Sequence, residues 1–367
     1  MPVIHETQEI LFKLDQLQPQ IESMLQNVDK RWPDNARSIT AAWLKQGLKP
    51  YTITRDIRWG VPVPGYEKVF YPWFDACIGY ISITAGYTDQ WERWWRNSGV
   101  QLYQFIGKDN VLFHSVVFPA TQIGTGETWT NVHHLSTTDF LTYEGEKFSK
   151  SRGVGVFGDS VQQTDVPPDV WRFYLLSCRP ETGDVEFRWD GLIEANNTLL
   201  VNGVGRFVSR ILRVVVDDYA GIVPGWTEDY GFVKEINHLL ARYIEEMDGV
   251  ELRSGLSTAL QVLQCGDAFM SNDLCTQGRA SAVGLMANLV HLIASLLVPY
   301  MPDTAAAINS QLQAAPLPLP ESWCADSVRM GHRVGTLENL FFWINPARAE
   351  EWRKAFGGED NKSPQYR

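Results

Sequence analysis

Lys147-Phe148-Ser149-Lys150-Ser151-Arg152 places three cations in six residues, with Gly145, Gly153 and Gly155 on either side. Two lysines three apart can reach neighbouring oxygens of one polyphosphate, and the glycines let such a loop swing between open and closed forms. A solvated cationic surface loop has the same composition, and six residues alone do not separate the two. The other candidate residues narrow the choice.

Tyr71-Pro72-Trp73-Phe74-Asp75-Ala76-Cys77-Ile78-Gly79-Tyr80 gathers aromatics around small residues just after a β-rich run. It reads as a pocket wall in which a thioether would gain from Trp73 and Tyr80, or equally as aromatic core. Tyr103-Gln104-Phe105-Ile106-Gly107-Lys108-Asp109-Asn110, followed by Phe113 and His114, has the form of a strand that turns into a helix. At such a carboxyl strand end Gly107 admits close backbone approach and Asp109 can accept from ribose hydroxyls, while His114 lies on the helical face of Asn110. Further on, Arg206, Arg210 and Arg213 fall at i, i+4 and i+7, with no acid between Glu194 and Asp217. That stripe suits nucleic-acid phosphates or base edges; a solvated cationic face is the alternative.

These residues need elements to hold them. Up to about residue 190 short β-rich runs (51–57, 68–73, 102–106) alternate with helical stretches, then Pro167-Pro168 opens a helix over 169–177 and 185–189 is a last extended piece. Beyond Trp189 apolar residues recur at three and four over 196–216, 230–247, 256–269 and 281–298, which predicts a helical bundle. The expected organisation is an α/β region at 1–190, helices at 191–350 and a polar tail at 351–367. Ala282–Val298 carries no charge, but it is short for a span and contains Asn288 and His291, so a buried core helix is expected and no membrane partner.

The 367 residues, 44% hydrophobic and 20% charged, describe ordinary globular protein, and a net charge of −11 argues against indiscriminate coating of nucleic acid. No secretory or mitochondrial address is apparent in the first twenty residues, which include Glu6, Glu9 and Asp15. Five scattered cysteines without a C-x-x-C pair read as reduced cytosolic thiols, not as a zinc site.

W-F-D-A-C-I-G-Y, F-I-G-K-D-N with F-H-S after it, and K-F-S-K-S-R-G-V-G-V-F-G together resemble methionyl-tRNA synthetase of the eukaryotic cytosolic type, in consistent order from about Glu6 to Gly358. The resemblance implies a Rossmann-like α/β catalytic domain, N-terminally incomplete, with the tail of the connective insertion at 1–50, then an all-α anticodon-binding bundle. It implies a cytoplasmic methionine-tRNA ligase that uses ATP with Mg²⁺. Its partners would be methionine, tRNA(Met) and, in some members, other synthetases of a complex. On this likeness Trp73, Ala76, Cys77, Tyr80, Asn110, Phe113 and His114 border the methionine pocket, and Gly107 and Asp109 hold the ATP ribose side. Lys147 and Lys150 bind the triphosphate, Arg55 matches an arginine near the active site, and Arg206, Arg210 and Arg213 face tRNA.

The sequence departs from the family at four points. The H-I-G-H signature that shares ATP with the lysine loop has no counterpart among these residues, Arg329-Met330-Gly331-His332 being the nearest string, and the connective insertion with its cysteine knuckle is absent apart from its tail. Arg206 stands where the family has an anticodon-reading Asn, and Cys275 where it has a base-stacking Trp. The resulting expectation is a polypeptide inactive or weak alone. A non-catalytic module that binds tRNA or a synthetase partner is the alternative, and a gene model lacking its first exons a third possibility.

Overall fold

In a computed structural model, residues 6–26, 32–271 and 278–358 are described. The chain forms two compact units, residues 1–140 with 180–184 and residues 141–179 with 185–367.

In the first unit the order is β1 (Leu11–Phe12), α1 (Leu14–Leu25), α2 (Asp34–Gln46), β2 (Tyr51–Thr52), β3 (Thr54–Arg55), β4 (Val69–Phe70), α3 (Pro72–Tyr87), α4 (Glu92–Trp95), β5 (Leu102–Gly107), α5 (Phe118–Gly124) and β6 (Val132–Thr138). β5 and β6 pair in parallel, with Tyr103 opposite His134 and Gly107 opposite Thr138, while β1–β2 and β3–β4 are antiparallel. The β6 strand is buried along most of its length, as a parallel strand covered on both sides should be; β5 instead leaves Tyr103 and Phe105 exposed and buries Gln104 between them. Pro72 at the first turn fixes where α3 begins, because its missing N–H costs nothing there. Between β5 and α5 the backbone passes through a tight turn at Lys108–Asn110 and a widened π turn at Phe113–Val117. The core packs Leu14, Ile21, Phe74, Val111, Val116, Ala120 and Leu135.

The second unit runs β7 (Leu141–Tyr143), α6 (Pro168–Ser177), β8 (Val185–Phe187), α7 (Trp189–Glu194), a π segment Ala195–Gly205, α8 (Arg206–Tyr219), α9 (Tyr230–Asp248), α10 (Leu252–Ser271), α11 (Arg279–Leu297), α12 (Pro302–Leu312) and α13 (Arg348–Phe356). β7 and β8 are parallel. An aromatic stack joins them to the helices: Phe187 lies flat on both Tyr143 and Trp171 at 5.7 Å, and Trp189 meets Trp352 at 4.8 Å. Each such pair adds about 0.5–1.5 kcal/mol beyond the area it buries. Asp169 caps α12 from another helix, its Oδ2 accepting from the Thr304 N–H and hydroxyl at 2.6 and 2.8 Å.

α11 is the core helix that the charge-free stretch 282–298 predicts. By length and composition it could cross a membrane, yet 94% of its apolar window is buried inside the protein. Its polar groups are satisfied there: Asn288 bonds Gly284 and Val328, and His291 bonds Ser327 and Ala315.

Three sequence expectations are corrected. Trp189 ends no strand; it opens α7, because β8 stops at Phe187. Residues 351–367 do not begin as a polar tail: α13 runs to Phe356 and buries Ala349, Trp352 and Phe356, an apolar edge of spacing three and four on an otherwise charged helix. The compact units part near residue 140 instead of 190, since β7, α6 and β8 share one hydrophobic cluster with the helices that follow.

Candidate functional site

α3 presents Trp73, Ala76, Cys77 and Tyr80 at i, i+3, i+4 and i+7, hence on one face. The widened turn at 113–117 sets Phe113 and His114 against that face. Trp73 stacks on Phe113 with ring centroids 5.3 Å apart and remains 46% exposed, while His114 is 6% exposed. His114 Nε2 lies 2.9 Å from the Tyr80 hydroxyl, and its Nδ1 lies 2.9 Å from the Asn110 carbonyl. A carbonyl only accepts, so Nδ1 carries the hydrogen. Burial pushes the His114 pKa below its ordinary value, which keeps the ring neutral, so Nε2 accepts from the Tyr80 hydroxyl.

The Cys77 thiol points to the Phe113 carbonyl at 3.8 Å and lies 3.9 Å from His114 Nε2. Burial raises its pKa to about 12, so it is an inert packing thiol and not a nucleophile. Ala76 is exposed beside these groups. Together the residues form a neutral, aromatic, polarizable surface with one oriented hydroxyl. Next to Tyr80 lies an open cleft of about 330 Å³, walled by Ile83, Trp95, Leu102, Gln104 and Phe105.

Gly107, Asp109 and Asn110 occupy the carboxyl end of β5 and the turn after it. A β-carbon on Gly107 would come within 2.9 Å of the exposed Asp109 carboxylate, so glycine leaves that carboxylate room to sit over the backbone. Asp109 accepts from the Asn110 amide at 3.3 Å. Lys108 was not singled out from the sequence, yet it fixes this strand end through Asp139 at 2.9 Å and Asp184 at 2.6 Å. These bonds raise its pKa, Asp184 contributing most. Arg55 lies over the Tyr71 ring at 3.9 Å and donates to the Thr54 carbonyl.

Lys147 and Lys150 belong to the second unit. Both are exposed, and neither makes an ion pair among the described residues; Lys150 Nζ hovers 5.7 Å above the Phe157 ring. The loop is a hairpin: Ser149 and Val154 exchange backbone hydrogen bonds of 2.8 and 3.0 Å, and the Gly153 N–H donates to the Lys150 carbonyl. Gly155 has a φ of +112°, and a β-carbon there would overlap the Phe148 ring. In this structure the glycines therefore serve a tight, bonded turn.

The arginine stripe is not free of carboxylates. Asp267 of α10 pairs with Arg206 at 2.7 Å and with Arg210 at 2.9 Å, and Arg210 also donates to the Met270 carbonyl. The sequence excludes acids only on the arginines' own helix; a neighbouring helix supplies one. Asp267 is the lone acid of α10, and that isolation was the available signal. Arg213 is exposed and makes no ion pair among the described residues. Cys275 lies outside the described residues.

Two family profiles match: "tRNA synthetases class I (M)" over residues 1–212 and "Anticodon binding domain of methionyl tRNA ligase" over residues 224–361. The chain is 46% identical to the probable cytoplasmic methionine–tRNA ligase of Schizosaccharomyces pombe, with 97% of this chain and 48% of that protein covered. To the cytoplasmic methionine–tRNA ligase of Saccharomyces cerevisiae it is 43% identical, over 95% and 49%, and to that of Homo sapiens 41% identical, over 99% and 43%. The chain thus spans about half the length of the curated relatives it matches. Among solved structures, Mycobacterium tuberculosis methionyl-tRNA synthetase bound by methionyl-adenylate superposes with a TM-score of 0.80 at 21% identity, over 92% of this chain and 69% of that one. Its free form gives 0.78 over 93% and 70%. At that identity the likeness concerns the fold.

Proposed function

The chain belongs to the class I methionyl-tRNA synthetases, and on that premise we propose that its residues serve ATP-dependent activation of methionine and transfer of the methionyl group to tRNA, in the cytoplasm as the relatives' names state. Trp73, Ala76, Cys77, Tyr80, Asn110, Phe113 and His114 take the amino acid. A thioether gains about 0.3–1.5 kcal/mol per sulfur–aromatic contact, and a neutral His114 leaves no charge for an apolar side chain to desolvate.

ATP with Mg²⁺ is the co-substrate. Gly107 and Asp109 hold the ribose side, and Lys147 and Lys150 the triphosphate. A methionine carboxylate oxygen attacks the α-phosphorus, the bond to the bridging oxygen breaks, and pyrophosphate leaves with the electron pair. Charge grows on the phosphate oxygens in that step, and exposed lysines that make no ion pair among the described residues suit it. The tRNA ribose hydroxyl then attacks the carbonyl carbon of the adenylate, the methionyl group passes to that oxygen and AMP leaves, with Arg206, Arg210 and Arg213 holding the RNA.

The observation that carries the reading is the Tyr80–His114–Asn110 chain beneath the Trp73–Phe113 stack, a neutral polarizable pocket wall at the end of β5. Calorimetric titration with a methionyl-adenylate analogue tests it. Saturable binding is expected, weakened about tenfold in Trp73→Ala and not contested by leucine; no binding, or equal competition by leucine, would overturn the reading. Because these 367 residues contain no H-x-G-H, the polypeptide assayed alone is expected to exchange pyrophosphate weakly, and robust methionine-dependent exchange would refute that expectation.

A further inference from the structure

The lysine hairpin is anchored by residues some two hundred positions downstream. On its exit side the Gly155 N–H donates to the Phe356 carbonyl at 2.8 Å, and Val154 forms a bridge with Gly357. The approach is backbone against backbone: a β-carbon at Gly358, whose φ is +84°, would lie 2.7 Å from the Val154 side chain and 3.0 Å from the Arg152 carbonyl. On its entry side Glu144 precedes the Gly145 turn with a φ of +46°, a conformation a non-glycine residue holds only when its surroundings enforce it. Those surroundings are the Trp189 N–H, donating to Glu144 Oε1 at 2.8 Å, and the Arg353 guanidinium, donating to Oε2 at 3.1 Å. Arg353 also binds Asp190 of α7. α13 is itself fixed, since Trp352 and Phe356 both pack on Trp189.

We propose that α13 with Gly357 and Gly358 clamps both stems of the lysine loop, which makes Arg353 and Gly358 positioning residues for the phosphate chemistry of Lys147 and Lys150. The inference rests on the functional reading of those lysines. Arg353 acts through Glu144, by holding the backbone from which Lys147 departs. Gly358 acts through contact, since only a residue without a side chain lets the terminal segment close on the hairpin.

The test uses Arg353→Met, Gly358→Val and Arg353→Lys in the full chain, each first checked for a retained thermal transition. Two readouts need no activity: tryptic cleavage after Lys147, Lys150 and Arg152, and amide exchange at Gly155, both well below the melting temperature. Faster cleavage and exchange in Arg353→Met and Gly358→Val are expected, with partial recovery in Arg353→Lys. The rate of methionine-dependent pyrophosphate exchange should fall about tenfold while the KM for methionine stays unchanged, as for a misplaced catalytic group. Unaltered loop cleavage and Gly155 exchange would overturn the clamp, and a loosened loop with undiminished pyrophosphate exchange would overturn its positioning role. Lys150→Ala runs in parallel: an unchanged rate there overturns the lysine reading itself, leaving the proteolysis to judge the clamp alone.

Discussion

Two sets of cations in the second unit are built on opposite terms. Lys147 and Lys150 stand exposed on their hairpin without an ion partner among the described residues, whereas Arg206 and Arg210 are already bridged by Asp267. An anionic ligand reaching the lysines gains their attraction outright. One reaching the arginines must first displace a carboxylate that is only 24% exposed and held at hydrogen-bond distance. The first arrangement favours strength at a developing charge, and the second favours discrimination, because weak or misplaced phosphates lose to the resident acid.

That contrast can be broken most directly at Lys150. Lys150→Ala should abolish the weak pyrophosphate exchange expected of this polypeptide, since removing one preorganised charge donor from a transition state costs about 100-fold; a loss of twofold or less would show that the loop does not face the reaction. Arg210→Ala should weaken tRNA binding about tenfold and flatten its salt dependence, read by filter binding over a range of ionic strengths. Should affinity stay unchanged, the arginine face is not the RNA surface. Asp267→Asn turns the comparison around, since freeing both arginines should raise tRNA affinity about threefold at low salt and steepen the salt slope. A fall in affinity would mean instead that Asp267 organises the arginines for RNA.

The smallest effect belongs to the aromatic pocket. Burial depresses the folded pKa of His114 below its ordinary value of 6.5. Below that pH the unfolded chain takes up a proton that the folded chain refuses, so the stability from this group is complete above about pH 6.5 and declines as the pH falls towards the folded pKa. Each such histidine contributes at most about 1.4 kcal/mol per pH unit inside that window. His291, also depressed by burial, adds to the slope. Denaturant titrations from pH 7 to pH 5 should show the decline, and His114→Gln should reduce it; identical slopes in the two proteins would rule out the assignment.

Much of this was legible in the residues, and the remainder was hidden for identifiable reasons. α9, α10 and α11 follow from apolar spacing because their buried faces dominate their composition. The face shared by Trp73, Cys77 and Tyr80 follows from spacing too, whereas the Tyr80–His114 bond needed the widened turn at 113–117, which no local pattern announces. α13 looked like a tail because Arg, Glu and Lys outnumber its apolar residues, although Trp352 and Phe356 four apart were there to be read. The Arg–Asp267 bridges join residues about sixty positions apart on α8 and α10, and the isolation of Asp267 as an acid on α10 hints at a partner without saying which one.

The bond from Gly155 to Phe356 also orders events in time. At roughly 5–20 residues per second, a ribosome that has made Gly155 needs roughly 10–40 s more to reach Phe356. During that interval β7, α6, β8 and the bundle helices can form while the hairpin stems lack their downstream partners. The stems of the lysine hairpin are thus among the last parts of this unit to gain their bonding partners as the chain is made.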